Sequence, residues 1–356
     1  MMISNLKVSA VNTKVSAIKS NMLQEEHFMQ MMNLENVEQV VEYLNQHTPF
    51  KDVLWDINEE EIHRQEIEKR LYVYRVSTIE KLIYYLAKEY KDFLKTYMLR
   101  YEIEDLKLVF KVVRGHIDPK TVEEHFIIAS KYSHLSFQEL LKQDSVKKVI
   151  EKLRGTKYYR LIVPYIDYAE FAEEKFNFYL EMILDKYYYH ELIISAKDLF
   201  GKKDKKALEL LQRNIDLYNL EWIYRATKYF DMSKEEILNF VLSDGYTYSY
   251  EKLKDCIYSL NVEKIQEYFK ASPYEFLFNH EDKDIDLYMK RRIDRYLYYK
   301  ALNLYRSSSL TFGKVISFLL LLEFETEDII SIIESKRYKM TASEISKYLI
   351  RTIEVK

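Results

Sequence analysis

Chain breakers are scarce. Five glycines and four prolines in 356 residues leave few positions for the tight turns that strands and hairpins require. Gly115, Gly155, Gly201, Gly245 and Gly313 stand far apart, so no glycine-rich loop cradles a phosphate. The single cysteine, Cys256, excludes an intrachain disulfide and fits a reducing compartment. No histidine lies near it in sequence, so a thiolate nucleophile has no visible base. Neither sign of charge dominates: 54 Lys and Arg against 57 Asp and Glu leave a net charge of −3 and a pI near 6.3. No global basic field therefore recruits nucleic acid. Long apolar runs are missing too. The strongest, Val315 to Leu322, falls far short of the roughly 20 residues that span a bilayer. Met1 is not followed by a basic-then-apolar signal region. A hydrophobic content of 48% beside 31% charge still suffices for a packed core.

What is present is a repeat. Glu102-Ile-Glu-Asp105-Leu106, Asp216-Leu-Tyr-Asn219-Leu220 and Glu325-Thr-Glu-Asp328-Ile329 each place an acid, then Asp or Asn three residues on, then an aliphatic. Eight residues past the aliphatic comes a cation: Arg114, Lys228 and Arg337. Leu106, Val109, Phe110 and Val113 follow i, i+3, i+4, i+7 spacing, which predicts a helix. Acids that lead and a cation that closes suit the helix dipole. New helix starts follow at Asp118-Pro119 and at the capping boxes Ser233-x-x-Glu236 and Thr341-x-x-Glu344. A second signature precedes each copy: Asn36-Val37, Ser145-Val146 and Asn261-Val262, each opening a short apolar-periodic run. Thr48-Pro49-Phe50, Thr156-Lys157-Tyr158 and Ser272-Pro273-Tyr274 come soon after. A third landmark, Asp185-Lys186-Tyr187 and Asp294-Arg295-Tyr296, has the degenerate counterpart Leu71-Tyr72-Val73. Three units result: 1–115, 116–229 and 230–356.

No strand alternation is seen anywhere, so the fold is read as all-α. Expected helices include 10–33, a long stretch from Glu60 to Tyr97 interrupted near Val76 by Ser77-x-x-Glu80, and Lys120 to Lys131. Others are Ser136 to Leu141 with a Ser136-x-x-Glu139 cap, Asp167 to Leu199 halting at Gly201, Ile285 to Arg306, and Lys314 to Phe324. Lys51 to Glu59 reads as a loop. The 33 tyrosines, with runs at Tyr84-Tyr85, Tyr158-Tyr159, Tyr187 to Tyr189 and Tyr298-Tyr299, sit in amphipathic helices. Apolar in body and polar at the tip, they suit half-buried faces better than a stacking platform.

Sites of chemistry are hard to find. An EF-hand loop from Asp282 needs Gly and Glu where Leu287 and Ile293 stand. Asn58 to His63 has acids and one histidine but no second cluster to complete a di-metal site. No cofactor and no catalytic group is assigned.

The repeats and the N-terminus together resemble the C subunit of V/A-type rotary ATPases, counterpart of the eukaryotic V-type d subunit. That family opens with Asn-x-Arg-(Ile/Val) and then Lys/Arg-Ser-x-Leu-Leu. Asn12-Thr13-Lys14-Val15 and Lys19-Ser20-Asn21-Met22-Leu23 match, with Lys14 in place of Arg and Met22 in place of Leu. The likeness covers about residues 10 to 350. It implies a funnel of three similar helical bundles about a pseudo-threefold axis, non-catalytic, present as one copy per complex on the cytoplasmic face of a membrane. Its implied partners are the central stalk and the membrane rotor ring, between which torque passes. The signature acids and cations either face a partner or pair with one another inside each bundle; repetition in every unit favours the pairing. Lys202 and Arg291 are read as exposed cations whose reversal costs little. The rival reading is a general helical adaptor with a concave partner surface; a further one is an all-α enzyme with a hidden acid/base pair.

Overall fold

A computed structural model describes residues 2–57, 64–115, 122, 126–127, 132–168, 173–201, 203–230, 232–259, 261–278 and 282–354. Every regular element among them is a helix. The chain is all-α, as the scarcity of breakers and the 3.6-residue periodicity require. It divides into two compact units, one of Met1–Tyr90 with Ala196–Lys356 and one of Lys91–Ser195.

Three long helices carry the repeated signature: Lys88–Val113, Lys205–Tyr229 and Gly313–Arg337. In the larger unit, Gly313–Arg337 packs against Asp282–Ser307, Arg64–Ile83 and Met2–Ser20. It is apolar nearly all round, from Val315 through Leu322 and again at Ile329, Ile330, Ile332 and Ile333, and these residues are buried. A helix with no polar face must be surrounded. Its apolar run thus serves a protein core. No helix among the described residues is long and apolar enough to cross a membrane. Lys205–Tyr229 packs on Asp282–Ser307 and Val262–Lys270. In the smaller unit, Phe110 meets Phe176 of Glu173–Phe200 with ring centroids 6.1 Å apart.

Short helices fill the spaces between, and their starts follow the sequence. Asn36, Ser145 and Asn261 each cap a helix, accepting the backbone N–H of Gln39, Lys148 and Lys264. The Ser233 and Thr341 capping boxes both form. The hydroxyls of Thr48, Thr156 and Ser272 donate to the carbonyls of Leu44, Leu153 and Phe269 at 2.6, 2.7 and 2.6 Å. One local device closes the second signature in all three copies. Gly115 ends its helix at φ +79°, a conformation glycine adopts without strain.

Several boundaries differ from expectation. The first helix breaks after Ser20 and resumes at Glu25, because Met22 and Leu23 turn inward and are buried. Lys51–Leu54 is a short helix, not a loop. The break expected near Val76 falls at Tyr84–Ala87 instead. Ser77 does not start a helix; its hydroxyl donates back to the Tyr74 carbonyl at 2.9 Å. Ser136 precedes Phe137–Leu141 without a side-chain cap bond. Lys314 to Phe324 and the third signature form one continuous helix. Asp118-Pro119, Asn58 to His63, Lys202 and almost all of Lys120 to Lys131 lie outside the described residues. Arg291 is not an exposed cation: it is half-buried, with its guanidinium 5.0 Å from the centre of the Tyr288 ring. Burial, with Arg295 and Arg292 beside it, pushes its pKa down to about 10.

Asp204 serves two helices. Its carboxylate accepts from Ala207 N at 3.3 Å, capping Lys205–Tyr229, and from Gly313 N at 2.8 Å, at the start of the third signature helix. Asp204→Ala should cost about 2 kcal/mol in urea unfolding, since it removes a cap and strands a buried amide. Ser136→Ala, which removes no cap bond, should stay within about 0.5 kcal/mol. Equal effects would contradict the assignment.

Candidate functional site

The signature acids are buried, and they bind backbone further along the chain. Asp105, exposed to 1%, accepts from Ile127 N with both carboxylate oxygens at 2.9 and 3.0 Å. Asp328, fully buried, accepts from Ile350 N at 2.6 Å and from the Arg351 guanidinium at 2.7 Å. Asn219, equally buried, makes a two-way bond: Leu242 N donates to its Oδ1 at 2.8 Å, and its Nδ2 donates to Leu242 O at 2.9 Å. The separations are 22, 22 and 23 residues. The alternation of Asp and Asn follows the partner. Where the loop presents both N–H and C=O, an amide matches both; where it presents donors alone, a carboxylate is the better acceptor.

The acid one turn earlier makes a second tie. Tyr158 OH donates to Glu102, and Tyr274 OH donates to Asp216 at 2.7 Å. Asp216 also takes Thr247 N at 2.7 Å and Tyr248 N at 3.2 Å. Gly245 allows this close approach, since a Cβ there would lie 2.1 Å from Asp216 Oδ1. The tyrosines come from the Thr-Lys-Tyr and Ser-Pro-Tyr triplets. In the first copy that residue is Phe50, which has no hydroxyl. Glu325 accepts Leu23 N at 2.5 Å instead, and so ties the N-terminal segment to the third signature helix. Arg351 adds to the same knot: its guanidinium lies 3.8 Å from the centre of the Phe28 ring and donates to Leu23 O at 3.5 Å.

The signature cations do not pair with these acids. Nine residues separate Asp105 from Arg114, about 13 Å of helix. Arg114 donates to Asn177 Oδ1 at 2.8 Å and lies over Phe176. Lys228 donates to Asp286 Oδ2 at 2.8 Å, and Tyr224 OH to Asp286 Oδ1 at 2.9 Å. Asn177 and Asp286 hold matching places on their long helices, eight residues before Asp185 and Asp294. Arg337 is exposed, with Glu334 3.9 Å away. The buried cation at that end is Lys336, which donates to Met32 O at 2.6 Å. It stands one residue earlier, and the cation spacing alone did not single it out. Asn12 is buried and donates to Ser309 O at 3.2 Å and Thr311 O at 3.0 Å. Lys14 is exposed, and so is Ser20, whose hydroxyl donates to Ala17 O. Cys256 is buried, which pushes its thiol up to about 12.

Comparison with known proteins meets this arrangement at one point: residues 11–348 match the family described as ATP synthase (C/AC39) subunit. The chain belongs to that family. Similar relatives carry the name of the C subunit of A-type ATP synthase. The protein of Methanosarcina mazei is 25% identical over 73% of this chain and 70% of its own length. Those of Methanosphaera stadtmanae and Methanocaldococcus jannaschii are each 22% identical, over 95% and 98% of this chain and 86% and 88% of theirs. The signature acids thus lie in a family member whose regular elements, among the described residues, are all helices.

Glu325 stands apart electrostatically. Complete burial pushes its carboxyl from the usual 4.5 up to about 7, against the pull of Arg351, the Leu23 amide and Lys19, and with Asp328 adding to the rise. Tyr74 and Tyr298 also feel its charge. A carboxyl raised in the folded state contributes stability below pH 4.5, and that contribution is lost as pH rises through 7. Glu325→Gln keeps an acceptor for Leu23 N but carries no charge. Between pH 5 and pH 8 the wild type should therefore lose up to about 3 kcal/mol relative to this variant in denaturant unfolding. Parallel pH profiles for the two proteins would contradict this.

Proposed function

We propose that this chain is a non-catalytic coupling subunit of an A/V-type ATP synthase. It seats the end of the central stalk, rests on the membrane rotor ring from the cytoplasmic side, and passes torque between ATP hydrolysis or synthesis and the movement of H⁺ or Na⁺. The supporting observation is the family match across residues 11–348, joined to a chain with no helix, among the described residues, fit to cross a membrane. The reading is further supported by how the signature helices are held. Buried hydrogen bonds from helix to loop resist shear, and a part that carries torque must deform little under load. We also propose that units 1–115, 116–229 and 230–356 are three similar bundles set about a pseudo-threefold axis, and that the signature residues of the first two units act structurally by tying each unit to the next, Asp105 to Ile127, Glu102 to Tyr158, Asn219 to Leu242 and Asp216 to Tyr274. One copy per complex follows from such a socket.

A near-threefold socket cannot match a ring of different symmetry contact for contact. Its attachments are therefore several and modest, each exposed ion pair contributing about 0.2–1 kcal/mol across an interface above roughly 1,000 Å². Trp55, Tyr84 and Tyr338 are the most exposed aromatics among the described residues and have the most to gain from burial at such a face. Replacing any one of them by alanine should leave ATP-driven pumping within about threefold of wild type, given attachments that are several and individually modest. Deleting the whole chain should detach the ATP-hydrolysing head from the ring and abolish pumping while ATP hydrolysis persists. ATP-driven ion transport by membranes that lack this chain would overturn the proposal.

A further inference from the structure

A space that one bundle fills with an arginine is open in another. In the larger unit, Arg213 sits three residues before the signature acid Asp216 and enters a group of tyrosines. It donates to Tyr296 OH at 3.1 Å and Tyr274 OH at 3.5 Å, and its guanidinium lies 4.2 Å from the centre of the Tyr246 ring. Glu209 takes its Nε–H at 2.8 Å. In the first signature helix the same place, three residues before Glu102, holds Leu99. The tyrosines remain. Tyr158 and Tyr187 meet edge-to-face at 6.2 Å, as Tyr274 and Tyr296 do at 5.8 Å. Tyr132 lies five residues beyond Ile127, much as Tyr246 lies four beyond Leu242. Leu322, three residues before Glu325, and Phe50, the first copy's counterpart of Tyr158 and Tyr274, are both buried. Among the described residues, it is 91–195 that combine an aliphatic at the arginine's place with tyrosines around it.

A cavity of about 530 Å³ lies there, lined by Leu99, Glu102, Tyr132 and Tyr158, with Lys95, Lys157 and Glu191 also on its wall. The hydroxyl of Tyr158 donates to Glu102 as that of Tyr274 does to Asp216, which leaves the oxygen lone pairs to accept from another donor. The ring faces already attract a cation, because Lys157 Nζ lies 5.3 and 5.1 Å from the centres of Tyr158 and Tyr187. Two carboxylates and two ammonium groups then give the wall both signs of charge. We infer that this cavity binds a zwitterionic guanidinium compound, of the chemical class of free arginine. Its guanidinium meets Glu102, Glu191 and the tyrosine oxygens, and its carboxylate meets Lys95 and Lys157. The planar, multi-donor guanidinium suits carboxylates and aromatic faces together, which an alkylammonium does less well.

Calorimetric titration of the full chain tests this, with L-arginine as the probe and L-lysine and sodium chloride at equal ionic strength as controls. Saturable one-to-one binding of L-arginine, tighter than that of L-lysine, is expected. Arginine with both termini blocked should bind more weakly, since it lacks the carboxylate. Equal or tighter binding of the blocked form would overturn the free zwitterion as the ligand. Leu99→Arg should fill the cavity from within and abolish binding while the thermal midpoint holds or rises. Glu191→Gln, on the wall, should weaken binding about tenfold through loss of a charged acceptor, and it decides the matter if Leu99→Arg does not fold. No saturation by about 10 mM arginine, or unchanged affinity in Glu191→Gln, would overturn the inference.

Discussion

A buried side-chain acceptor that captures a backbone N–H more than twenty residues away is the interaction on which this molecule depends. A loop between helices must satisfy its own amides once it is buried, and an unmade bond costs about 1–3 kcal/mol. Asp105, Asn219 and Asp328 supply that partner from the middle of a long helix, where rotamer and position are already held by packing. Each fixes where the chain returns after its helix ends. Asp216 goes further and takes three donors at once, with Gly245 close against it. Remove these groups and the long helices still form, but the short ones between them lose their register.

The same economy explains why the copies differ. Where a triplet ends in tyrosine, as at Tyr158 and Tyr274, its hydroxyl meets the first signature acid. Where it ends in Phe50, the acid turns to Leu23 N, and the N-terminal segment is drawn into the knot around Asp328 and Arg351. A buried carboxyl with one amide donor and a cation not directly bonded to it is poorly compensated, which is why burial pushes Glu325 up to about 7; burial raises Asp328 beside it as well. Under the coupling role proposed above, such ties act as cross-links made of hydrogen bonds. They join segments distant in sequence without metal or disulfide.

Much of this was legible beforehand. The acid-x-x-Asp/Asn spacing, the Asn or Ser before each valine and the Thr or Ser of each triplet are all local patterns, and each does local work: an acceptor, a cap, a stop. The helical class follows from the same periodicity. What could not be read is which distant atom each acid meets. Nothing adjacent to Asp105 names Ile127, and the loops that carry these partners have no pattern of their own. The exceptional role of Glu325 was visible only as Phe50 in place of tyrosine, a change that gains meaning once the tyrosines are seen on the other acids. Lys336 lay hidden beside Arg337 because cation spacing alone cannot decide between neighbours that face different ways on a helix. Leu99 in the place of Arg213 likewise reads as an ordinary apolar residue until the cavity is seen beside it.

Several amides that lie outside helices are held by buried side chains. Native-state hydrogen exchange of Leu23, Ile127, Leu242, Thr247, Tyr248 and Ile350 tests this most directly. These amides should exchange as slowly as those in the middle of the Lys205–Tyr229 and Gly313–Arg337 helices, and those of Leu242 and Ile350 should speed up by about a hundredfold in Asn219→Ala and Asp328→Ala respectively, which corresponds to the loss of about 3 kcal/mol of local protection. Exchange at the rate of open loops in the wild type, or rates indifferent to the two substitutions, would contradict the account.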